Sequence, residues 1–96
     1  MIAFLHGVLA SKDANHVVID VSGVGYMVEI PPGSENKLPD VGLDIKFYTH
    51  YHIREKDVKL YGFWSLDELK VFTIAITVKG IGPALALNIV SKLTPS

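Results

Sequence analysis

The chain has 96 residues, a formal net charge of −1 and no cysteine, and 49% of its residues are hydrophobic. This composition supports one folded domain and excludes disorder as the main state, and the absence of cysteine excludes a disulfide framework, a thiolate metal site and a cysteine nucleophile. The near-neutral charge argues mildly against a nucleic-acid-binding protein, except one that holds phosphates mainly with backbone amides.

The first 63 residues have the pattern of short β-strands. Apolar and polar residues alternate in segments that are separated by turn-forming residues, with a hairpin turn at 12–15 and a break at 23–25. The predicted strands cover residues 1–10, 16–21, 26–30, 44–54 and 58–63. Strands of this number and spacing predict a small β-barrel of the OB-fold type, with five or six strands.

The strand at 44–54 has the clearest alternation. Its predicted inward side chains are Ile45, Phe47, Thr49, Tyr51 and Ile53, and its outward side chains are Lys46, Tyr48, His50, His52 and Arg54. Two histidines two residues apart on one face have a spacing that metal sites use. No third ligand is evident nearby, so a polar and partly basic surface is the preferred interpretation and no metal site is predicted.

Residues 64–96 have a helical pattern. Ser65 and Glu68 form a capping box, in which the Ser65 hydroxyl accepts from the Glu68 amide and the Glu68 carboxylate accepts from the Ser65 amide. The helix is expected to run to about Val78. It is apolar nearly all round, which predicts burial on a second side by a partner subunit or by further sequence.

The segment Gly80-Ile81-Gly82-Pro83 separates this helix from a second one at 84–93. Gly80 is expected to adopt a left-handed conformation, and Pro83 suits the first helical position. Leu85, Ile89 and Leu93 are expected to form the buried stripe of the second helix, and Leu87 and Val90 are expected to widen it.

A pair of helices joined by Gly-x-Gly is typical of the helix-hairpin-helix motif, which binds the DNA backbone. The glycines let the hairpin approach a phosphate, and the amides at the start of the second helix point at it. Lys79 and Lys92 would add positive charge. The alternative interpretation is an ordinary helical joint with a glycine cap.

Together these segments resemble the N-terminal part of the RuvA family, the DNA-binding subunits of the bacterial machinery for Holliday junction branch migration. The resemblance is collinear and covers nearly the whole chain. It rests on Met1-Ile2 with Gly7, Gly23-Val24-Gly25-Tyr26, Phe47-Tyr48-Thr49-His50, Arg54-Glu55, Leu60-Tyr61-Gly62-Phe63, and Gly80-Ile81-Gly82-Pro83 with Leu85-Ala86-Leu87 and Ile89.

The resemblance implies a barrel domain at 1–63 and, at 64–96, the start of a helix-hairpin-helix domain whose remainder is absent. It implies a homotetramer that binds four-way junctions and acts with RuvB, which would carry the ATPase and helicase activity. The chain itself would be neither an enzyme nor dependent on a cofactor. The implied DNA-binding residues are Lys79, Gly80, Ile81, Gly82 and Pro83.

The resemblance also implies an acidic pin in the barrel, which repels phosphates at the junction centre. Glu55 stands at the matching position, but Lys56 follows where a second acid is usual, so the pin is expected from Glu55 and Asp57. Ala84 is a further departure, because a basic residue is common after Gly-Pro in the family. Lys79 is expected to compensate for it.

Two other functions remain open on the sequence. A generic OB-fold module for single-stranded nucleic acid would use outward aromatic side chains such as Tyr48 as stacking surfaces. A protein-interaction scaffold would use the two-sided apolar helix. No membrane span is predicted, because a span needs about 20 consecutive apolar residues, and no secretory signal is present, so a cytoplasmic location is expected.

Overall fold

The computed structural model describes residues 1–93, and its first two-thirds form a closed five-stranded barrel. The strands are β1 (Phe4–Lys12), β2 (His16–Val21), β3 (Val24–Glu29), β4 (Asp44–Ile53) and β5 (Val58–Phe63). They pair in the order β1-β2-β3-β5-β4, and every pairing is antiparallel except the short parallel one between β3 and β5. The predicted OB-type barrel is confirmed.

The first two hairpin turns set strand limits that differ from the predicted ones. Asp13 Oδ1 accepts from the amides of Asn15 at 2.8 Å and His16 at 2.7 Å, so β1 continues to Lys12 before the chain reverses. Ser22 (φ 54°) and Gly23 (φ 91°) make a two-residue turn with positive φ at both positions. The predicted break at 23–25 is therefore too long, and β3 begins at Val24.

The connection between β3 and β4 contains a 3-10 helix, Ser34–Lys37, that the sequence pattern did not predict. Gly33 enters it with φ 87°, and the Ser34 amide donates to the Pro31 carbonyl at 3.0 Å. Four residues are too few to show a helical periodicity, which is why the segment was expected to be an irregular loop.

Most of the predicted inward face of β4 lines the barrel core. Ile45, Phe47 and Thr49 are at most 4% exposed, and the Thr49 hydroxyl donates to the Ile2 carbonyl at 2.7 Å. Ile53 was expected to point inward, but it is 68% exposed. Because β4 extends beyond the barrel core at this end, alternation alone does not bury its last residue.

Gly62 on β5 lies where the barrel interior has no room for a side chain. A Cβ atom at this position would lie 2.5 Å from Val28 Cγ1 and 3.2 Å from Phe47 Cδ2. We expect Gly62→Ala to lower the free energy of unfolding by about 1–3 kcal/mol, as overpacking of a core does. Urea denaturation measures the change. Gly82→Ala is the matched control, because nothing lies within 4 Å of a Cβ there, and equal stability of the two variants would contradict the prediction.

Two helices, α1 (Leu66–Ala75) and α2 (Pro83–Leu93), pack on the outer face of the barrel. Alternate residues of β5 point away from the barrel interior and join the helices in a second hydrophobic core. Its buried members are Tyr61, Phe63, Phe72, Ala75, Ala86 and Val90. β5 is therefore shared by two cores, which holds the helical hairpin firmly against the barrel.

The start of α1 follows the capping prediction in part. Ser65 Oγ accepts from the Glu68 amide at 3.2 Å, as expected. Glu68 Oε1 accepts from the amide of Trp64 at 2.8 Å, one residue before the predicted donor Ser65. The Glu68 side chain is buried, and its Oε1 atom reaches one residue further back than in a capping box.

The end of α1 comes three residues earlier than predicted. After Ala75 the amides of Thr77 and Val78 donate to carbonyls three residues back, both at 3.1 Å, and the Thr77 hydroxyl donates to the Ile74 carbonyl at 2.6 Å. These tighter turns replace the last α-helical turn. They lead the chain to Gly80, whose φ of 89° confirms the predicted left-handed conformation.

The exposed apolar residues of the helices correct one prediction and leave another open. The predicted stripe of α2 is right at Val90, which is fully buried, and in part at Leu87 and Ile89, which pack against the second core. It is wrong at Leu85 and Leu93, which are 49% and 70% exposed, and it omits Ala86, which is fully buried. Small Ala86 faces the second core because the phenylalanine rings already fill it. On α1, Phe72 is buried within the chain but Leu66 and Ile74 are exposed, so a partner for that side remains a prediction.

Candidate nucleic-acid interface

The turn between α1 and α2 presents an open stretch of backbone. The Ile81 amide donates to the Val78 carbonyl at 3.1 Å, and the Gly82 carbonyl accepts from the Ala86 amide at 3.0 Å, so the turn is held from both sides. Pro83 has no amide hydrogen, and the following amides at the start of α2 have no acceptor within the helix. They lie at the positive end of the helix dipole, where an anion is favoured.

Gly82 leaves space in front of this turn. Its conformation is not one that demands glycine, and a Cβ atom there would meet no other atom within 4 Å. Gly80 differs, because its φ of 89° is strained for other residues. The fold therefore requires glycine at position 80, whereas the absence of a side chain at position 82 leaves the backbone open to a ligand. Lys79 is exposed beside the turn.

The barrel contributes a second wall to this region. A cleft of about 420 Å³ separates the start of α2, at Gly82 and Pro83, from a polar edge of the barrel formed by Glu29, Arg54, Lys59 and Tyr61. Lys59 Nζ lies 3.6 Å from Glu29 Oε1 across the β3–β5 pairing. Residues more than twenty positions apart thus lie on one side of the molecule.

Sequence reasoning did not place Arg54 or Lys59 near the helical turn. Arg54 was expected on the outer face of β4, and nothing in the local pattern connects either residue with Gly82. The only sequence feature that bears on their position is the alternation along the two strands, which places both side chains on the outside of the barrel. Their position opposite α2 depends on how the helices pack on the barrel.

The loop between β4 and β5 is closed by a bidentate ion pair. Arg54 Nε and Nη2 donate to Asp57 Oδ1 and Oδ2 at 2.8 and 2.9 Å, and the Arg54 amide donates to the Asp57 carbonyl at 2.8 Å. The hydrogen bonds from Arg54 lower the pKa of Asp57, and those to Asp57 raise the pKa of Arg54. Asp57 is therefore ionised and locally neutralised. Glu55 and Lys56 are exposed at the tip of the loop.

The structure brings Glu55 and Asp57 into the same loop but in different environments. Asp57 is paired with Arg54, whereas no hydrogen bond or ion pair to Glu55 occurs within residues 1–93. The carboxylate available to a ligand at the loop tip is thus that of Glu55.

The two histidines on β4 do lie together. His50 Nε2 and His52 Nδ1 are 3.3 Å apart, but within the described part of the chain no three His, Cys, Asp or Glu side chains are grouped to hold a metal ion. Within residues 1–93, neither α1 nor α2 is long and apolar enough to cross a membrane.

The structure is a closed five-stranded barrel with a glycine-linked helical hairpin on its outer face. This architecture places the chain in the class of OB-type barrels joined to a helix-hairpin-helix segment. The family model described as "RuvA N terminal domain" matches residues 1–62. The chain belongs to this RuvA N-terminal domain family, which confirms the resemblance.

Similar full-length proteins carry the name "Holliday junction branch migration complex subunit RuvA". The protein of Desulforamulus reducens is 44% identical over 96 residues, which are 100% of this chain and 47% of that protein. Those of Shewanella piezotolerans and Syntrophobacter fumaroxidans are 45% and 46% identical over 98% and 99% of the chain, and 46% and 48% of their own lengths. The chain thus spans about half the length of the curated relatives that it matches.

Proposed function

We propose that this chain is the DNA-binding part of a subunit that recognises four-way junctions and supports branch migration in recombination and repair. The observation that carries the proposal is the open turn at Gly82, which faces Arg54, the residue before Glu55, across a single cleft. Membership of the RuvA N-terminal domain family and the names of the relatives support it.

In this proposal the helical hairpin holds the DNA backbone. The residues are Lys79, Gly80, Ile81, Gly82 and Pro83, with the amides at the start of α2 directed at a phosphate and Lys79 supplying charge. Such contacts position a duplex without reading its bases. Arg54 and Lys59 lie across the cleft from this turn, but Asp57 and Glu29 balance their charges. The exposed turn is therefore the principal phosphate contact.

The loop between β4 and β5 acts in this proposal as the acidic pin. An anion that faces DNA phosphates is repelled by them, so it disfavours a continuous duplex relative to the open centre of a junction. Because Arg54 neutralises Asp57, Glu55 carries most of this repulsion. Lys56 weakens the pin in comparison with a pair of adjacent acids.

The complete protein is proposed to act as a cytoplasmic homotetramer with RuvB. The exposed apolar residues Leu66 and Ile74 of α1 support burial against a second copy or against further sequence of a helix-hairpin-helix domain that starts at residue 64. ATP hydrolysis and helicase activity belong to RuvB in this proposal, and the chain itself needs no cofactor.

Titration of the complete protein with a four-way junction, a duplex and a single strand of equal length tests the proposal. We expect the junction to bind at least about tenfold more tightly than the duplex, a difference of about 1.4 kcal/mol. Equal affinity for junction and duplex would contradict junction recognition. A preference for the single strand would favour the generic OB-fold function, and no binding to any of the three would favour a protein-interaction scaffold.

Glu55→Gln tests the pin separately. We expect it to leave junction binding unchanged or stronger, and to bring duplex binding closer to junction binding, because an anion that faces phosphates is removed. Asp40→Asn is the matched control, since it removes the same charge from an exposed loop elsewhere on the barrel. Gel-shift titrations of both DNAs give the two affinities. Weaker junction binding by Glu55→Gln, or the same gain with Asp40→Asn, would assign Glu55 to an ordinary solvated loop.

A further inference from the structure

His50 lies between the barrel and the first helix. It is on the outer face of β4, directly across from Tyr61 on β5. The centre of its ring is 5.4 Å from that of Phe72 on α1 and 6.5 Å from that of Tyr61. The imidazole is thus part of the contact that attaches α1 to the barrel.

The second histidine is hydrogen-bonded to the first. His50 Nε2 lies 3.3 Å from His52 Nδ1, and the rings of His52 and Tyr61 are 6.1 Å apart. One proton between the two nitrogens makes this hydrogen bond, and the pair then carries no charge or one. When both rings are fully protonated, two N–H groups face each other, so the hydrogen bond is lost and the two positive charges repel.

The groups that face this pair compensate a second positive charge only in part, since Asp57 attracts a charge on His52 but is itself paired with Arg54. His52 lies opposite Lys59 on β5, Arg54 follows on β4, and α1 contributes the apolar ring of Phe72. The nearest acids are engaged elsewhere: Glu29 on β3 with Lys59 at 3.6 Å and with His16 at 3.5 Å, and Asp57 with Arg54. Tyr61 is neutral, because burial and the neighbouring Glu29 raise its pKa.

These surroundings determine whether acidification stabilises or destabilises the packing of His50 between β4 and α1. Burial, followed by the charge of His52, lowers the pKa of His50 below its ordinary value of 6.5. The unfolded or detached state therefore binds a proton more readily than the packed state. The stabilisation that neutral His50 gives to the packed state is fully present above pH 6.5. It is lost as the pH falls from 6.5 to the lowered pKa of His50.

We propose that the His50–His52 pair is an acid-sensitive latch that attaches α1 to the barrel. At neutral pH the hydrogen-bonded pair packs against Phe72. Protonation of His50 on acidification places a positive charge in this partly buried contact, so the helical hairpin loosens while the barrel core stays closed. The latch depends on packing and charge alone and is independent of the proposed DNA-binding function.

Hydrogen exchange of the complete protein at pH 7.5 and pH 5 tests the latch. The quantity measured is the protection of α1 amides relative to β2 amides in the same sample, because this ratio cancels the intrinsic effect of pH on exchange. We expect the ratio to fall at pH 5 by at most about tenfold for each unit by which the folded-state pKa of His50 lies below its unfolded-state value. An unchanged ratio would overturn the proposal.

Three variants identify the residues responsible. His50→Gln should abolish the pH dependence of the ratio, and His52→Gln should reduce it, because it removes the neighbouring charge. His6→Gln removes an imidazole that is 61% exposed on β1 and should behave as wild type. A pH dependence that survives in His50→Gln, or that disappears in His6→Gln, would overturn the latch. An NMR titration gives the pKa of His50 directly, and a value above 6.5 would also overturn it.

Discussion

Gly82→Val in the complete protein is expected to lose affinity for junction and duplex DNA alike, by more than about tenfold, or 1.4 kcal/mol. The valine side chain would occupy the space through which a phosphate reaches the turn between α1 and α2. Phosphate contacts carry no sequence information, so both DNAs should be affected to a similar degree.

The structure makes this substitution a clean test of the interface. Nothing lies within 4 Å of a Cβ atom at position 82, and its φ is not in the left-handed region, so the hairpin should remain folded. We expect the melting temperature to change little. Ala10→Val, on the exposed side of β1, is the matched control for enlarging a surface side chain and should bind DNA as wild type does.

Affinity measured against salt concentration completes the test. Lys79→Ala should weaken binding more mildly and reduce the log–log salt slope by about one unit, as the loss of one phosphate contact does. If folded Gly82→Val binds DNA like wild type at every salt concentration, the turn is not the DNA contact. The glycines would then serve only as a cap between two helices.

Phe72→Ala is expected to lower the free energy of unfolding by about 3–5 kcal/mol, the usual range for truncation of a buried phenylalanine. The ring is fully buried, and its centre lies 5.0 Å from that of Phe63 and 5.1 Å from that of Tyr61. A small domain has about 5–15 kcal/mol of stability in total, so this loss is a large share of it.

The loss should be concentrated in the helical hairpin. Phe72 belongs to the second core, whereas the barrel has its own core around Phe47. Urea denaturation followed by circular dichroism measures the total change, and hydrogen exchange shows whether α1 opens before β2. Leu66→Ala is the matched control, since Leu66 is 61% exposed and should cost less than 1 kcal/mol, as for most surface substitutions. Equal losses in the two variants would show that Phe72 does not anchor α1.

Local features of the molecule were predictable because they depend on neighbours in the chain. Strand β2 has the predicted limits, His16–Val21, since its alternation leaves one side wholly apolar. The left-handed Gly80 and the start of α2 at Pro83 follow from backbone preferences of single residues. The Ser65 cap depends on an amide only three residues away.

Features that depend on contacts between distant segments were not predictable in the same way. Alternation placed Ile53 inside the barrel, but β4 extends past the core there. The spacing of apolar residues placed Leu85 and Leu93 in the buried stripe of α2, but Ala86 and Val90 are fully buried in the second core while Leu85 and Leu93 are exposed. A helix with apolar residues on several sides does not itself specify which side is buried.

The candidate interface also combines features that local sequence predicts with features that only tertiary contacts determine. The order of glycine, proline and capping residues was sufficient to predict two helices joined by an open turn, because these residues restrict the backbone locally. The pairing of Arg54 with Asp57, the cleft between Arg54 and Gly82, and the contact of His50 with Phe72 were decided by the tertiary structure. Each requires the helices to pack on β5, and that packing depends on the combined shapes of side chains that lie far apart in the sequence.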